Sequence, residues 1–469
     1  MWSDVVEEET RRIPAVPGMV ALVGLSRGGL PLAVQCASRG WRVVGYDGNL
    51  QVVECINGGR TPGHEEPELE SELAGLVERG LLSATLKASE AIARANVVVV
   101  LASVQVNDAH QISFQELDAA TETVGRALQP GTLVCYQTAL PVGTTAGRVR
   151  AKLEMCSGLD ASREFFLAYS SEAFPSGHML RDLRAYPKIV GGIDARSTQV
   201  AVAFYRSILT TEILSMSSAA EAEFAKLIET TYRDVNIALA NEFACYADEH
   251  NLDVMAAIAA ANTQPSAHIH QPGLGVGGHA TPVYPYFLIN TAPASEPEEE
   301  SDAFQRLRLP RAARSINDGM AEYAVQRIEA AAGSLWRRSV LLLGVTSQSE
   351  VRETTFSSAY LLQAALWRHG ATVYVDDPLY TPIELQALGF QPLPAGREKE
   401  IDAIILQTAH QAYQSFDFRR FSRCRLLLDG RHGLAPACVE GTGMRYMTLG
   451  DGRDDAAQYI APVRGDVRV

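Results

Sequence analysis

The sequence is short of basic charge, of paired cysteines and of long apolar runs, and each shortage excludes something. Lys and Arg number 41 against 55 Asp and Glu, a formal net charge of −14, so no basic stripe is expected for a nucleic-acid backbone. A phosphate ligand is not excluded, because a few backbone amides and arginines suffice to hold one. The seven cysteines, at 36, 55, 135, 156, 245, 424 and 438, show neither CxxC pairing nor a metal-ligand rhythm. They read as scattered core thiols in a reducing cytoplasm, with no metal site. No run reaches membrane-spanning length, and no signal peptide is expected ahead of the first strand.

What is present is an ordinary globular composition, 47% hydrophobic and 20% charged over 469 residues. That length exceeds one hydrophobic core and calls for two or three domains. After a charged, Pro-containing extension over residues 1–17, Met19-Val-Ala-Leu-Val-Gly24 reads as a buried strand, and Gly28 to Arg39 as a helix. Trp41 to Asp47 reads as a second strand. Asp47 lies roughly 20 residues past the glycine turn, the dinucleotide-binding spacing. Further strands are expected at Asn96–Ala102, Gly131–Gln137, Phe165–Ser170 and Lys188–Gly191. Strand and helix in alternation imply a parallel, doubly wound sheet.

From near Ser217 to about His250 the chain has no Pro or Gly and repeats its apolar positions at helical spacing. A helix of that length can bridge domains and carry a subunit contact. An acidic tract follows within 290–303, expected as a solvated loop, and a second α/β unit starts at Ser339-Val-Leu-Leu-Leu-Gly344. The expected fold is α/β, two Rossmann-like doubly wound domains joined by the long helix. The expected division is extension 1–17, dinucleotide-binding domain 18–212, central helical domain 213–330 and C-terminal α/β domain 331–469.

Residues 275–288, Gly-Val-Gly-Gly-His-Ala-Thr-Pro-Val-Tyr-Pro-Tyr-Phe-Leu, carry the sharpest signal. They resemble the active-site loop GVGGHC-x-PVDPY of the UDP-glucose/GDP-mannose/UDP-N-acetylmannosamine dehydrogenases. Ala222 to Glu242 resembles that family's central helix nearly residue for residue. Ile56-Asn-Gly-Gly-Arg-Thr-Pro62 with Glu66-Pro67, Thr138-Ala-Leu-Pro-Val-Gly-Thr-Thr145, Ala313-Arg-Ser-Ile-Asn317 and Asp429-Gly-Arg431 fit further signatures. The likeness covers roughly residues 19 to 450. Asn262, Pro265 and His270 to Gly273 lean toward its acetamido-sugar branch.

The resemblance implies NAD as cofactor, a nucleotide sugar or related phosphorylated sugar as substrate, and a homodimer. It assigns cofactor contacts to Gly24, Ser26, Arg27, Gly28, Gly29, Asp47, Ser103 and Thr138. Ser26 replaces the usual second glycine, and Asp47 would repel the 2′-phosphate of NADP. It assigns the sugar to Lys226, Gly277, Gly278 and His279, and the nucleotide to Arg352 and Arg431. Its catalytic set falls on Glu172 (which positions water), Lys226 (which stabilises oxyanion charge), Thr138 and Thr230, the last in place of asparagine.

The departures decide the reaction. The family's nucleophilic cysteine is Ala280, and its aspartate four residues on is Tyr284. A methyl group cannot form a thioester, so four-electron oxidation to a uronate loses its covalent step. His279 and Tyr284 become candidates for proton transfer; the plainer alternatives are that His279 holds the loop and Tyr284 fills space. The expected activity is two-electron oxidation or redox-neutral epimerisation. A non-catalytic paralogue stands as the alternative, and an ordinary uronate-forming enzyme fits worst.

Overall fold

The computed structural model of the protein describes residues 18–25, 28–62, 67–107, 109–171, 179–291 and 306–452. They divide into two compact units. One runs up to Glu229 and takes in Tyr286–Thr291; the other comprises Thr230–Pro285 and the described residues from 306 onward.

The first unit is built on ten strands: β1 Met19–Val23, β2 Arg42–Tyr46, β3 Leu82–Thr85, β4 Val97–Val100, β5 Gln105–Val106, β6 Ile112–Ser113, β7 Leu133–Tyr136, β8 Phe166–Tyr169, β9 Lys188–Gly192 and β10 Ile213–Ser215. Eight of them form one sheet in the order β10-β9-β8-β7-β4-β1-β2-β3, while β5 and β6 make a small antiparallel ribbon. Val20, Leu22, Val97, Val99, Leu133 and Cys135 pack in one core cluster, and their neighbours Ala21, Val98 and Val134 are buried as well. Burial of both faces is why these strands read as continuous apolar runs. The strand order reverses between β1 and β4, which puts the ligand crevice at the carboxyl ends of those strands. One pairing departs from the all-parallel expectation: β9 runs antiparallel to β8, with Ala168 opposite Gly192 and Tyr169 opposite Gly191.

The second unit carries β11 Ser339–Leu343, β12 Thr372–Asp376, β13 Ala403–Leu406, β14 Leu426–Asp429 and β15 Arg445–Thr448. They pair in parallel in the order β12-β11-β13-β14-β15. Alternate residues serve alternate cores: Val340, Leu342, Val373 and Ile405 join one cluster, and Leu341, Leu343, Tyr374 and Ile404 the other. The period of two that makes a strand thus makes a sheet covered on both sides. Its order reverses at β11, as the first sheet's does at β1.

The central helix spans Ala219–His250 and crosses the division between the units at Glu229 and Thr230. Ala219, Ala222, Glu223, Lys226, Leu227, Thr230, Thr231, Asp234, Ala238 and Asn241 are buried, a repeat of three and four that marks one buried stripe. Four of these side chains are ionisable or amide-bearing. Asn241 is satisfied within the second unit, where it donates to Asn317 at 2.8 Å and accepts from the Gly273 amide at 2.8 Å. Asp234 accepts from Arg314 at 2.6 Å and from Asn317 at 2.8 Å. Burial nevertheless pushes the Asp234 carboxyl up to about 6.

Candidate active site

The cofactor turn follows directly from β1. The Gly24 amide donates to Tyr46 O at 2.9 Å, and the Leu25 amide donates to Asp47 Oδ2 at 3.1 Å. Asp47 Oδ1 accepts from the Asn49 amide at 2.9 Å, so the carboxylate is held at the end of β2 with lone pairs left over. A Cβ on Gly29 would stand 2.1 Å from Gly24 O; only glycine lets the helix Gly29–Ser38 start this close to the strand. Gly28 caps that helix without a side-chain hydrogen bond, and no acidic residue occupies its first turn. Free amides and a half-buried carboxylate across from them suit a dinucleotide. Ser26 and Arg27 lie outside the described residues. Ser103, just past β4, has its hydroxyl on Glu116 and within 3.4 Å of Gln105 Nε2.

Thr138 stands half-buried past the end of β7. Behind it the Gln137 amide donates to Val100 O at 2.8 Å, and Gln137 Oε1 accepts from Tyr205 OH at 2.9 Å. Lys188, buried in β9, donates to Ser171 O at 2.9 Å. That bond fixes the backbone just ahead of Glu172, which itself lies outside the described residues. Cys135 is no rival nucleophile: burial pushes its thiol up to about 11. Lys226 is 9% exposed, and its Nζ lies 2.7 Å from Glu229 Oε2. Thr230 is buried one helical turn further on.

The path of the loop around Ala280 lies in the second unit, which takes in Thr230–Pro285. A Cβ on Gly277 would come within 3.0 Å of Ser347 Cβ and 3.2 Å of Ser357 Cα, so the Gly277 backbone packs closely against the Ser347 side chain and the Ser357 backbone. The Gly278 amide donates to Thr355 O at 3.1 Å. Past Ala280, the amides of Val283 and Tyr284 donate to Ala280 O at 3.0 and 2.8 Å. Tyr284 therefore begins the short helix Tyr284–Ile289. His279 stands exposed, with Nδ1 3.6 Å from Oε2 of Glu353, a carboxylate that is 5% exposed. At that distance the contact is an ion-pair contact with the imidazolium rather than a hydrogen bond.

The two arginines expected on the nucleotide have protein partners. Arg431 donates to Gln407 O at 2.8 Å, Gly275 O at 3.2 Å and Ser358 Oγ at 3.2 Å. It thereby ties the Gly-rich loop to β13 and β14, and burial lowers its pKa to about 10. Arg352 pairs with Glu384, donates to Leu379 O at 3.1 Å and lies 4.8 Å over the Tyr380 ring. Of the residues expected on the substrate, Gly277, Gly278 and His279 follow one another on the loop that Arg431 holds through Gly275 O, and Arg352 has other partners.

Two residues were missed in the sequence. Glu353 directly follows Arg352, and its charge beside a motif arginine was the available signal. Glu223 is a glutamate among buried alanines, three positions before Lys226. It accepts from the Gly143 and Thr145 amides and from the Thr145 hydroxyl.

Such a two-unit α/β chain, with a dinucleotide turn and a Gly-Gly-His loop, defines a class that comparison with known proteins identifies. The family model of the NAD binding domain of the UDP-glucose/GDP-mannose dehydrogenase family matches residues 19–209, and that of its central domain residues 220–318. A UDP-N-acetyl-D-mannosamine dehydrogenase of Pyrococcus horikoshii is 32% identical over 447 residues, covering 93% of this chain and 99% of that protein. An NDP-N-acetyl-D-galactosaminuronic acid dehydrogenase of Ralstonia nicotianae is 30% identical, covering 88% and 95%. Among solved structures, the UDP-D-ManNAc dehydrogenase of P. horikoshii superposes with a TM-score of 0.81 at 29% identity, over 92% of this chain and 99% of that one. This chain belongs to the UDP-glucose/GDP-mannose dehydrogenase family, and its cofactor is NAD. No helix among the described residues is long and apolar enough to cross a membrane.

Proposed function

We propose that this member of the family acts on a nucleotide sugar by hydride chemistry without a thioester step. Oxidation of a carbinol either stops at the carbonyl or is reversed from the other face to give an epimer. The observation that carries this reading is His279 paired with buried Glu353 next to Ala280: the loop keeps a base with an orienting carboxylate where it has no nucleophile. The other thiols of the second unit give no substitute. Burial pushes both Cys245 and Cys424 up to about 12, and Cys438 is raised as well.

When bound, NAD supplies hydride acceptance and return. The chain's own residues take the rest. His279 Nε2 accepts the hydroxyl proton and can give it back, with Glu353 favouring the imidazolium that forms. Lys226, an ammonium with little water around it, stabilises charge on the developing oxygen, and Thr230 adds one hydroxyl donor. Tyr284 fills the aspartate position, and Glu172 and Thr138 complete the set. The acetamido sugars named for the relatives favour an N-acetylated sugar on a nucleoside diphosphate.

We place the chain in the reducing cytoplasm as a homodimer. Support for the dimer comes from Phe224 and Ile228 early in the central helix, and from Tyr232, Leu239, Phe243 and Tyr246 later in it, all exposed. Apolar side chains of that size at three- and four-residue spacing suit a helix-to-helix contact.

One observation favours the rival, a non-catalytic paralogue that binds ligand or an active partner: Arg352, an arginine expected on the nucleotide, is engaged with Glu384 and Tyr380. The two readings separate when a bound nucleotide sugar carrying deuterium on the reacting carbon is incubated with at least one equivalent of NAD and followed by NMR. Inverted configuration with the label retained, or a stable carbonyl with the label on the cofactor, is the expected result. Unchanged sugar despite measured binding would leave the paralogue standing.

A further inference from the structure

Glu223 is fully buried in the first turns of the central helix, and both of its oxygens face one loop. Oε2 accepts from the Gly143 amide at 2.6 Å, and Oε1 accepts from the Thr145 amide at 2.8 Å and the Thr145 hydroxyl at 2.6 Å. The loop runs from Thr138, past the end of β7, to the π-helical turn Thr145–Val149. β7 neighbours β4, and β4 neighbours β1, so the loop lies on the carboxyl edge where a doubly wound sheet takes its dinucleotide. The same helix turn presents Lys226 three residues on. A single carboxylate therefore joins the cofactor-edge loop to the start of the helix.

We infer that Glu223 is a positioning residue that latches the 138–145 loop, and that NAD binds more tightly when this latch is ionised. The inference goes beyond the reaction proposed above and holds whichever reaction follows cofactor binding.

The chemistry is a matter of acceptors. An ionised carboxylate has lone pairs for all three donors, whereas a protonated one turns an oxygen into a hydroxyl and sets it against an N–H. Burial pushes Glu223 up to about 7, against the amides of 143–145 and the Thr145 hydroxyl, which pull it down. Neighbouring charges have other partners: on the same helix Lys226 meets Glu229, and Glu221 accepts from the Ser217 amide. On the π-helical turn Arg148 pairs with Asp118, and in β9, which packs on the helix start, Lys188 donates to Ser171 O.

The sign follows from linkage. If the NAD-bound form favours the ionised latch, affinity is full above about 7 and falls as pH drops below it, until the bound form also protonates.

The experiment is titration calorimetry of full-length protein with NAD between about pH 8 and about pH 5.5, alongside hydrogen exchange of residues 139–146 at each pH. For the unmodified chain Kd should rise by roughly tenfold across that range. Glu223→Gln should bind more weakly and with no pH step, and should exchange faster than the unmodified chain at the upper pH only. If Glu223→Gln fails to fold by circular dichroism, Thr145→Val serves: losing one donor to the charged form should move the step to higher pH. A flat Kd in the unmodified chain, an unchanged step in Glu223→Gln, or an unmoved step in Thr145→Val would overturn the inference. NAD that binds at no pH would overturn the cofactor half of the inference, and exchange of 139–146 that ignores Glu223→Gln at the upper pH would overturn the latch itself.

Discussion

Replacing His279 by asparagine should lower turnover by roughly 10²–10⁴-fold, the usual worth of a positioned proton acceptor, while NAD affinity stays as it was. Asparagine keeps a polar side chain beside Glu353 but cannot take up a proton near neutral pH. His279 sits on a loop held by backbone bonds, Gly278 to Thr355 and Tyr284 to Ala280, which the substitution leaves in place. Glu353→Gln makes the sharper control. Removing the opposite charge 3.6 Å from Nδ1 disfavours the imidazolium, so the acidic limb of the pH–rate profile should move to lower pH. A residue that merely holds the loop would change melting temperature and leave that limb in place. Full activity in His279→Asn would remove the imidazole from the mechanism.

Lys226→Met should cost roughly 10²–10³-fold in kcat, as the loss of one oxyanion donor does elsewhere, with little change in KM for the sugar. Methionine matches the length of the stem and deletes only the charge. The alternative role is an ion pair with Glu229, whose side chain is 45% exposed. Such a pair contributes roughly 0.2–1 kcal/mol, too little to explain a large kinetic loss. Steady-state kinetics with thermal melts of both variants separate the roles. A Lys226→Met enzyme that melts lower but turns over normally would make Lys226 structural.

How much of this was legible in the sequence depends on the range of the interaction. The cofactor turn was readable because its determinants are local: a glycine that must clear a carbonyl, and a carboxylate one β-α-β unit away. The central helix was readable because 32 residues without Pro or Gly leave few alternatives to a helix. β3 and β10 were not anticipated; they are short edge strands of four and three residues with little apolar pattern to show. The antiparallel pairing of β8 with β9 rests on two residue pairs, which no periodicity encodes.

The site divides along the same line. Ala280 and Tyr284 could be read as departures because a loop motif is contiguous. His279 meeting Glu353, and Glu223 meeting Gly143 and Thr145, join segments far apart in sequence, and a buried glutamate carries no mark of its partner. Arg352 shows the converse. Its motif position suggested a diphosphate, whereas the fold sets it against Glu384 and Tyr380.

The decisive measurement is the number of NADH molecules formed per nucleotide sugar consumed, read by absorbance and checked by mass spectrometry of the sugar. Without a nucleophile at Ala280, a carbonyl cannot be held as a thioester and oxidised again. The result expected is one NADH with a carbonyl product, or none with an epimer. Two NADH per sugar, with a nucleotide-linked uronic acid accumulating, would contradict it and show that another group has taken the cysteine's place.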